Sequence, residues 1–146
     1  SRVTEGEHLK ADLLEKLDAM LSHVAFITER SPRIIAEYKQ KLYDKVKDLL
    51  QDAQMDENRI LMEVTIFADK VCVDEELVRL KSHIEATKKA LADGGGIGRK
   101  LDFIAQEMNR EANTILSKTT DMEISDRAIE LKTEIEKVRE QIQNIE

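Results

Sequence analysis

The amino-acid sequence predicts an all-α protein: an elongated helical bundle with long antiparallel hairpins and a coiled-coil-like C-terminal helix. Charged residues make up 36% of the 146 positions and aromatic residues only 3%, with one proline and no tryptophan. Side chains of this kind lose little rotamer freedom in a helix, and so few aromatic rings favour a narrow aliphatic core. Apolar residues also recur at three- and four-residue spacing along most of the chain, which is the helical period.

The first third of the chain is expected to form two helices. The first carries an apolar stripe from Leu9 to Ile27 and should end near Ser31-Pro32, because proline is favoured at the first position of a new helix. The second helix then runs to about Asp52. A short link implies antiparallel neighbours, so residues 1–55 are predicted to form an N-terminal helical hairpin and 56–146 a C-terminal helical domain.

Four further helix boundaries are marked by capping and breaking residues. Asp56 and Asp74 are expected to cap the third and fourth helices, and Ser125 the last. Between the fourth and fifth helices stands Gly94-Gly95-Gly96, which is too costly in backbone entropy to stay helical and permits a sharp reversal. The last helix carries apolar residues at heptad spacing, typical of coiled-coil packing: Ala128, Leu131, Ile135, Val138, Ile142 and Ile145.

Charge and cysteine content limit the possible functions. The formal net charge is −7, so a polyanionic partner would need a localised basic patch or a bound metal. Cys72 is the only cysteine, which excludes a disulfide framework and predicts a buried thiol in a reducing compartment. Met20, Met62 and Met108 are assigned to core filling. No stretch has the apolar length of a membrane span, and we expect a cytoplasmic protein that does not bind membranes.

The glycine turn makes the fourth and fifth helices an antiparallel hairpin in which residue x faces roughly residue 191 − x. Each of these helices carries polar residues beside its apolar seam. The fourth contributes Glu76, Arg79 and His83, and the fifth contributes Glu107, Arg110, Glu111 and Thr114. A neighbouring strip on the fifth helix consists of Asp102, Gln106, Asn109 and Asn113.

This register predicts that His83 lies near Glu107 and that Glu76 points toward Glu111. A histidine and carboxylates that converge across a hairpin suit a hard divalent cation or acid–base catalysis. An ordinary solvated face with surface ion pairs explains the same residue types. The amides favour a functional interpretation, because asparagine is a poor helix former where a solvated face would use lysine or glutamate.

The glycine turn has a second interpretation. Arg99 and Lys100 follow it at the start of the fifth helix, an arrangement that resembles a phosphate cradle. The spacing is not that of a Walker loop, and no strand precedes it, so a plain reversal between helices is the better interpretation.

Long segments of the sequence resemble one family. The segments are EELVRLKSH (75–83), GRKLDF (98–103), QEMNREANT (106–114) and the tail EIEKVREQIQNIE (134–146). Residues 59–70 and the first two predicted helices fit as well. Together they resemble the C-terminal region of the YicC/YloC family of bacterial endoribonucleases. Members of that family carry an N-terminal α/β region that this sequence lacks, so we expect the chain to be a fragment.

The resemblance implies a homo-oligomer, expected to be a hexamer, that cleaves single-stranded or hairpin RNA and depends on a divalent metal, Mg²⁺ or Mn²⁺. Transferred to this sequence, it makes Glu76, His83, Glu107 and Glu111 the expected metal ligands and activators of water. Arg79 and Arg110 would complete the catalytic set by stabilising charge in the transition state. The expected substrate-binding residues are Arg99, Lys100, Gln106, Asn109, Asn113 and Thr114.

Two other functions remain open from the sequence. One is a non-catalytic oligomerisation or RNA-clamp domain, in which heptad residues assemble subunits and catalysis lies elsewhere. The other is a plain helical scaffold that binds neither metal nor RNA. The net charge of −7 favours both for the isolated chain.

Overall fold

The structure, a computed structural model, describes residues 2–51 and 53–145, with side chains described for 5–51 and 53–144. These residues form five α-helices and no strand. The helices are α1 (Arg2–Leu50), α2 (Glu57–Val71), α3 (Asp74–Asp93), α4 (Gly98–Lys118) and α5 (Met122–Ile145). The prediction of an all-α bundle is confirmed.

Four helices surround one aliphatic core. The N-terminal half of α1 packs against α3 and α5, and α4 closes the ring by packing against the same two helices. Contacts along α1 show that both neighbours run antiparallel to it. Toward α3, Asp18 pairs with Lys88 near the end of that helix, whereas Ser31 lines the same recess as Asp74 at its start. Toward α5, Arg30 contacts Asp121, which precedes the helix, at 3.0 Å, whereas Asp12 accepts a hydrogen bond from Gln141 near its end. The fully buried side chains of the core include Leu13, Leu17, Met20, Leu80, Ile84, Met108, Ile115, Leu131 and Ile135.

The predicted break at Ser31-Pro32 is wrong. Helix α1 continues through Pro32 to Leu50, so residues 1–55 do not form a hairpin, and the core joins side chains from both sides of residue 55. Proline inside a helix costs about 3 kcal/mol. Packing on both sides of the proline offsets that cost, because the N-terminal half of α1 lies in the bundle and its C-terminal half packs on α2.

Beyond the bundle, α2 and the C-terminal half of α1 form a two-helix extension, which we call the arm. Its helices are held by the stacked rings of Tyr38 and Phe67, whose centroids lie 3.9 Å apart. Met62 of the arm is 64% exposed, so its assignment to the core is wrong, whereas Met20 and Met108 are fully buried.

Helix capping follows the sequence only in part. Asp56 caps α2 through a hydrogen bond from a backbone amide of the first turn. Asp74 is instead the first residue of α3, which has no side-chain cap. Helix α5 begins before Ser125, and Asp121 caps it by accepting a hydrogen bond from the backbone amide of Ile124 at 3.1 Å.

The heptad residues of α5 are buried inside this chain. Ala128, Leu131, Ile135 and Val138 are fully buried, and α5 packs against α1 and α4. Ile145 lies outside the described side chains. A seam already covered by the same chain is not the exposed surface that a second subunit would need.

Cys72 is exposed, which corrects the prediction of a buried thiol. It is the C-cap of α2 and has an extended backbone, and with Val73 it forms the two-residue link between α2 and α3. Separately, none of the helices within the described ranges has both the length and the apolar character needed to cross a membrane.

Candidate functional site

The glycine turn folds α4 back along α3 as the sequence predicts. Gly94 and Gly95 have φ values of 74° and 85°, the left-handed region in which a residue without Cβ is favoured. The resulting antiparallel pair sets Arg79 against Glu111. The expected register of 191 − x gave position 112 as the partner of Arg79, so it is correct to within one residue.

Two buried carboxylates dominate the flank of this hairpin. Glu76 of α3 is 2% exposed and Glu111 of α4 is 7% exposed. Arg79 donates two hydrogen bonds to the oxygens of Glu111, from Nε at 2.8 Å and from Nη2 at 3.1 Å. Lys118 contacts the two oxygens of Glu76 at 3.0 and 3.1 Å and also donates to the carbonyl oxygen of Cys72 at 3.2 Å. Each buried charge is therefore neutralised by a cation from the facing helix.

The two cations remain accessible to solvent. The side chain of Arg79 is 48% exposed and that of Lys118 is 38% exposed. The hydrogen bonds from Arg79 to Glu111 raise the pKa of the guanidinium, so Arg79 keeps its charge at any working pH. The arrangement offers fixed positive charge at the surface, with the compensating negative charge beneath it.

His83 and Glu107 lie one helical turn from the Arg79–Glu111 pair, toward the glycine turn. The register that joins positions 79 and 111 places His83 opposite Glu107, since His83 is four residues after Arg79 and Glu107 is four residues before Glu111 on the antiparallel helix. His83 is half-buried, and the Glu107 side chain is 27% exposed and lies 3.7 Å from Arg110. No ion pair between His83 and Glu107 is found in the described part of the chain.

The four expected metal ligands do not form one coordination set in this arrangement. Glu76 and Glu111 are each engaged by a cation, on Lys118 and Arg79. Within residues 2–51 and 53–145, no group of three or more His, Cys, Asp or Glu side chains is placed to hold a metal ion. A divalent cation would reach these carboxylates only if Lys118 or Arg79 released them.

The polar residues of α4 come together as predicted. One shallow recess of about 560 Å³, the α4 recess, is lined by Gln106, Asn109, Arg110, Asn113, Thr114 and Ser117. The first five are residues that the sequence selected. Gln106 donates to Asp102 at 3.1 Å, whereas no hydrogen bond is described for the side-chain amides of Asn109 and Asn113. Their donors and acceptors are available to a ligand.

Arg99 and Lys100 lie apart from this centre. They are exposed in the first turn of α4, and Arg99 is roughly 16 Å along the helix axis from Arg110. The two basic residues can therefore contact an extended ligand of the α4 recess but not the same atoms as Arg110.

Sequence reasoning missed two residues of the site. Ser117 continues the row of the α4 recess one turn beyond Asn113 and Thr114, and this spacing was a usable signal. Lys118 was not selected, because a basic residue in the last helical turn is common without any function. Only the packing of α3 on α4 shows that it covers Glu76.

Comparison with known proteins identifies the family. Residues 27–146 match the family described as "Endoribonuclease YicC-like, C-terminal". The chain belongs to the YicC-like endoribonuclease family. This match covers the arm and the α3–α4 hairpin, and it includes every residue of the candidate site.

Two relatives are similar over nearly the whole chain. Both carry the name "Probable endoribonuclease YicC". The protein from Clostridioides difficile is 45% identical over 146 residues, and the one from Haemophilus influenzae is 37% identical over 145 residues. Each match covers 99% of this chain and 50% of the relative. The chain therefore spans about half the length of these curated relatives.

Proposed function

We propose that this chain is an endoribonuclease module that cleaves single-stranded or hairpin RNA on the flank of the α3–α4 hairpin. The observation that carries the proposal is the pairing of two buried carboxylates with accessible cations beside the α4 recess. Buried charges are costly to maintain, and their concentration beside a polar recess is typical of functional sites. Membership of the YicC-like family supports RNA as the substrate.

The proposed chemistry divides the work between the two helices. Asn109, Asn113 and Thr114, with Gln106, hold the RNA strand along the α4 recess. Arg79 and Arg110 stabilise the extra negative charge that develops on the phosphate, because their charge is fixed before the reaction begins. Glu111 positions Arg79 through two hydrogen bonds.

The bond changes are those of phosphodiester hydrolysis. A water oxygen attacks phosphorus and gives its proton to Glu107, which solvent reaches. The bond between phosphorus and one ribose oxygen breaks, and His83 donates a proton to that leaving oxygen. The register sets His83 and Glu107 next to each other on facing helices, so the imidazole and the carboxylate can both reach one phosphate bound on this flank.

Dependence on Mg²⁺ or Mn²⁺ is a separate proposal. Its support is the oxygen-rich donor chemistry of Glu76, Glu107 and Glu111 together with His83. Since two of these carboxylates are ion-paired as described, the bond changes above do not use the metal. Cleavage with and without EDTA, followed by added Mn²⁺, tests this proposal.

Self-association, with a hexamer as the expected assembly, is proposed on the family resemblance alone, and a cytoplasmic location is proposed on the amino-acid sequence. Light scattering of the purified chain measures the first. The heptad seam of α5 is buried in this chain, so we expect any interface between copies to use other surfaces.

The decisive experiment is a cleavage assay on end-labelled hairpin RNA. Glu107→Gln keeps the shape of the side chain but cannot accept a proton, and we expect a loss of rate of about 100-fold or more. The matched control is Glu63→Gln, which changes an exposed glutamate of the arm. The control should cleave at the unaltered rate.

Circular dichroism confirms that both variants keep their helical content. If Glu107→Gln cleaves as fast as the unaltered chain, the catalytic assignment is wrong, and the non-catalytic clamp becomes the better interpretation.

A further inference from the structure

Phe103 is an exposed aromatic residue on α4. It is 64% exposed, and no ring contact or covering cation is described for it. The other phenylalanine rings are covered, since Phe67 stacks on Tyr38 and Phe26 lies beneath the guanidinium of Arg127 at 4.1 Å. A single exposed apolar side chain is common on a protein surface, so the role of Phe103 has to be argued from the residues around it.

Phe103 lies on α4 just before the polar residues of the candidate site. It lies one turn before Gln106 and Glu107 and two turns before Arg110. At 100° per residue, Phe103 and Arg110 differ by about 20° around the helix, so they share one face. Phe103 therefore lies on the same face of α4 as Arg110, one turn before the first residue of the α4 recess.

The charge around Phe103 favours an anion, despite the net charge of −7. The neighbouring acid Asp102 is neutralised by Arg139 at 3.2 Å. Arg99 and Lys100 are exposed, and neither has an ion pair in the part of the chain that the structure describes. The Arg110 side chain is 75% exposed, and its one ion-pair contact among the described side chains is with Glu107 at 3.7 Å.

An aromatic ring between exposed cations has a well-defined use. Arg99 precedes the ring by about 6 Å along the helix axis and Arg110 follows it by about 10 Å. Proteins that bind single strands combine such cations, which contact phosphates, with rings on which bases stack. A base in a duplex is already stacked on both faces and cannot use the ring.

We infer that Phe103 stacks on an unpaired base of the RNA and so makes the α4 face selective for single-stranded segments. This inference rests on the proposed function, because it assumes that RNA occupies the α4 recess. It adds a residue that determines which part of a substrate is held there. A duplex presents phosphates but no free base face.

The first test uses the absence of tryptophan from the chain. Phe103→Trp introduces a single tryptophan at the proposed stacking position, and its emission can be excited separately from that of the two tyrosines. Titration with a 2′-O-methyl oligouridine, which resists cleavage, should quench its emission, and a duplex of equal length should not. The matched control is Ile66→Trp, at a 56% exposed position of the arm. Its emission should not change.

The second test measures affinity by anisotropy of labelled RNA. Stacking on an aromatic side chain is worth about 1–3 kcal/mol per base, so Phe103→Ala should bind the single strand about 5- to 150-fold more weakly. Phe103→Trp should bind within about twofold of the unaltered chain. An oligonucleotide with abasic sites in place of its bases should bind the unaltered chain more weakly than the normal strand, by a similar factor. The Phe103→Ala variant should bind the abasic and normal strands with nearly the same affinity.

The outcomes separate this inference from the proposed function. If Glu107→Gln abolishes cleavage but Phe103→Ala binds the single strand normally, stacking is refuted and the nuclease assignment stands. If cleavage is unaffected by Glu107→Gln but the tryptophan is quenched, the strand-binding face stands without the catalytic assignment. Absence of any RNA binding overturns both. A changed oligomeric state in Phe103→Ala with unchanged RNA affinity refutes stacking and assigns the ring to a contact between copies.

Discussion

Replacement of Lys118 by methionine removes the cation that neutralises Glu76 while keeping most of the apolar stem. The ammonium lies 3.0 and 3.1 Å from the two carboxylate oxygens, and the Glu76 side chain is 3% exposed. The variant therefore leaves a buried negative charge without its partner. We expect the free energy of unfolding to fall.

The size of the loss follows from the exposure of the two partners. Removal of one partner of a fully buried pair costs about 3–5 kcal/mol, whereas exposed pairs contribute at most about 1 kcal/mol. Glu76 is almost completely buried, but Lys118 is 38% exposed, so water replaces part of the lost interaction. We therefore expect a loss of about 2 kcal/mol, which corresponds to a fall in Tm of about 4–8 °C for a chain of this size.

A double-mutant cycle isolates the pair. Urea unfolding followed by circular dichroism gives the free energy for Lys118→Met, Glu76→Gln and the double variant. In the double variant no charge remains buried, so it should be more stable than the sum of the two single losses predicts, by about 1–2 kcal/mol. Strictly additive losses would show that Lys118 does not compensate Glu76, and the description of the flank as two neutralised carboxylates would be wrong.

Three further predictions concern the backbone and the acid response. Pro32→Ala should raise the free energy of unfolding, measured in urea, by about 1–3 kcal/mol, because it removes a helix-breaking residue from the exposed side of α1. Unchanged or lower stability would contradict a continuous helix. Gly95→Ala should lower the free energy of unfolding by about 1–2 kcal/mol, because Gly95 has a φ of 85°. Gly96 does not have a positive φ and has open space around it, so Gly96→Ala should cost much less, and equal effects would contradict the turn. The hydrogen bond from Arg30 lowers the pKa of Asp121 in the folded chain. The pair therefore stabilises the fold above the unfolded pKa near 4, and this stabilisation is lost as the pH falls through the folded pKa. In thermal unfolding between about pH 5 and pH 2, Arg30→Gln should therefore lose less stability than the unaltered chain.

The period of the apolar residues was sufficient to predict the helices and the α3–α4 hairpin. The prediction succeeded at the triglycine turn because glycine is the residue that a positive φ requires, and its position fixes the register of Arg79 against Glu111. It failed at Pro32. Local propensity there favours a break, and only the contacts of α1 with both the bundle and α2 make the continuous helix more stable.

The candidate site was predicted in location rather than in detail. Residues of one helix face can be grouped from spacing alone, and the lining of the α4 recess confirms that grouping. Partners across helices depend on side-chain reach. Spacing could not show that Lys118 extends to Glu76 and to the carbonyl of Cys72. For the same reason, spacing could not show that Arg79 and Lys118 engage two of the four expected metal ligands, which in this structure do not form one coordination set among the described residues.

The most direct test of the proposed site is to map where RNA contacts the chain. A single-stranded RNA that carries 4-thiouridine, cross-linked by light and analysed by mass spectrometry, reports the peptides that its bases touch. If RNA lies on the flank of the α3–α4 hairpin, the cross-links will fall within residues 99–117, and Phe103→Ala will reduce them. Cross-links confined to the arm or to α5, with none on α4, would contradict that location.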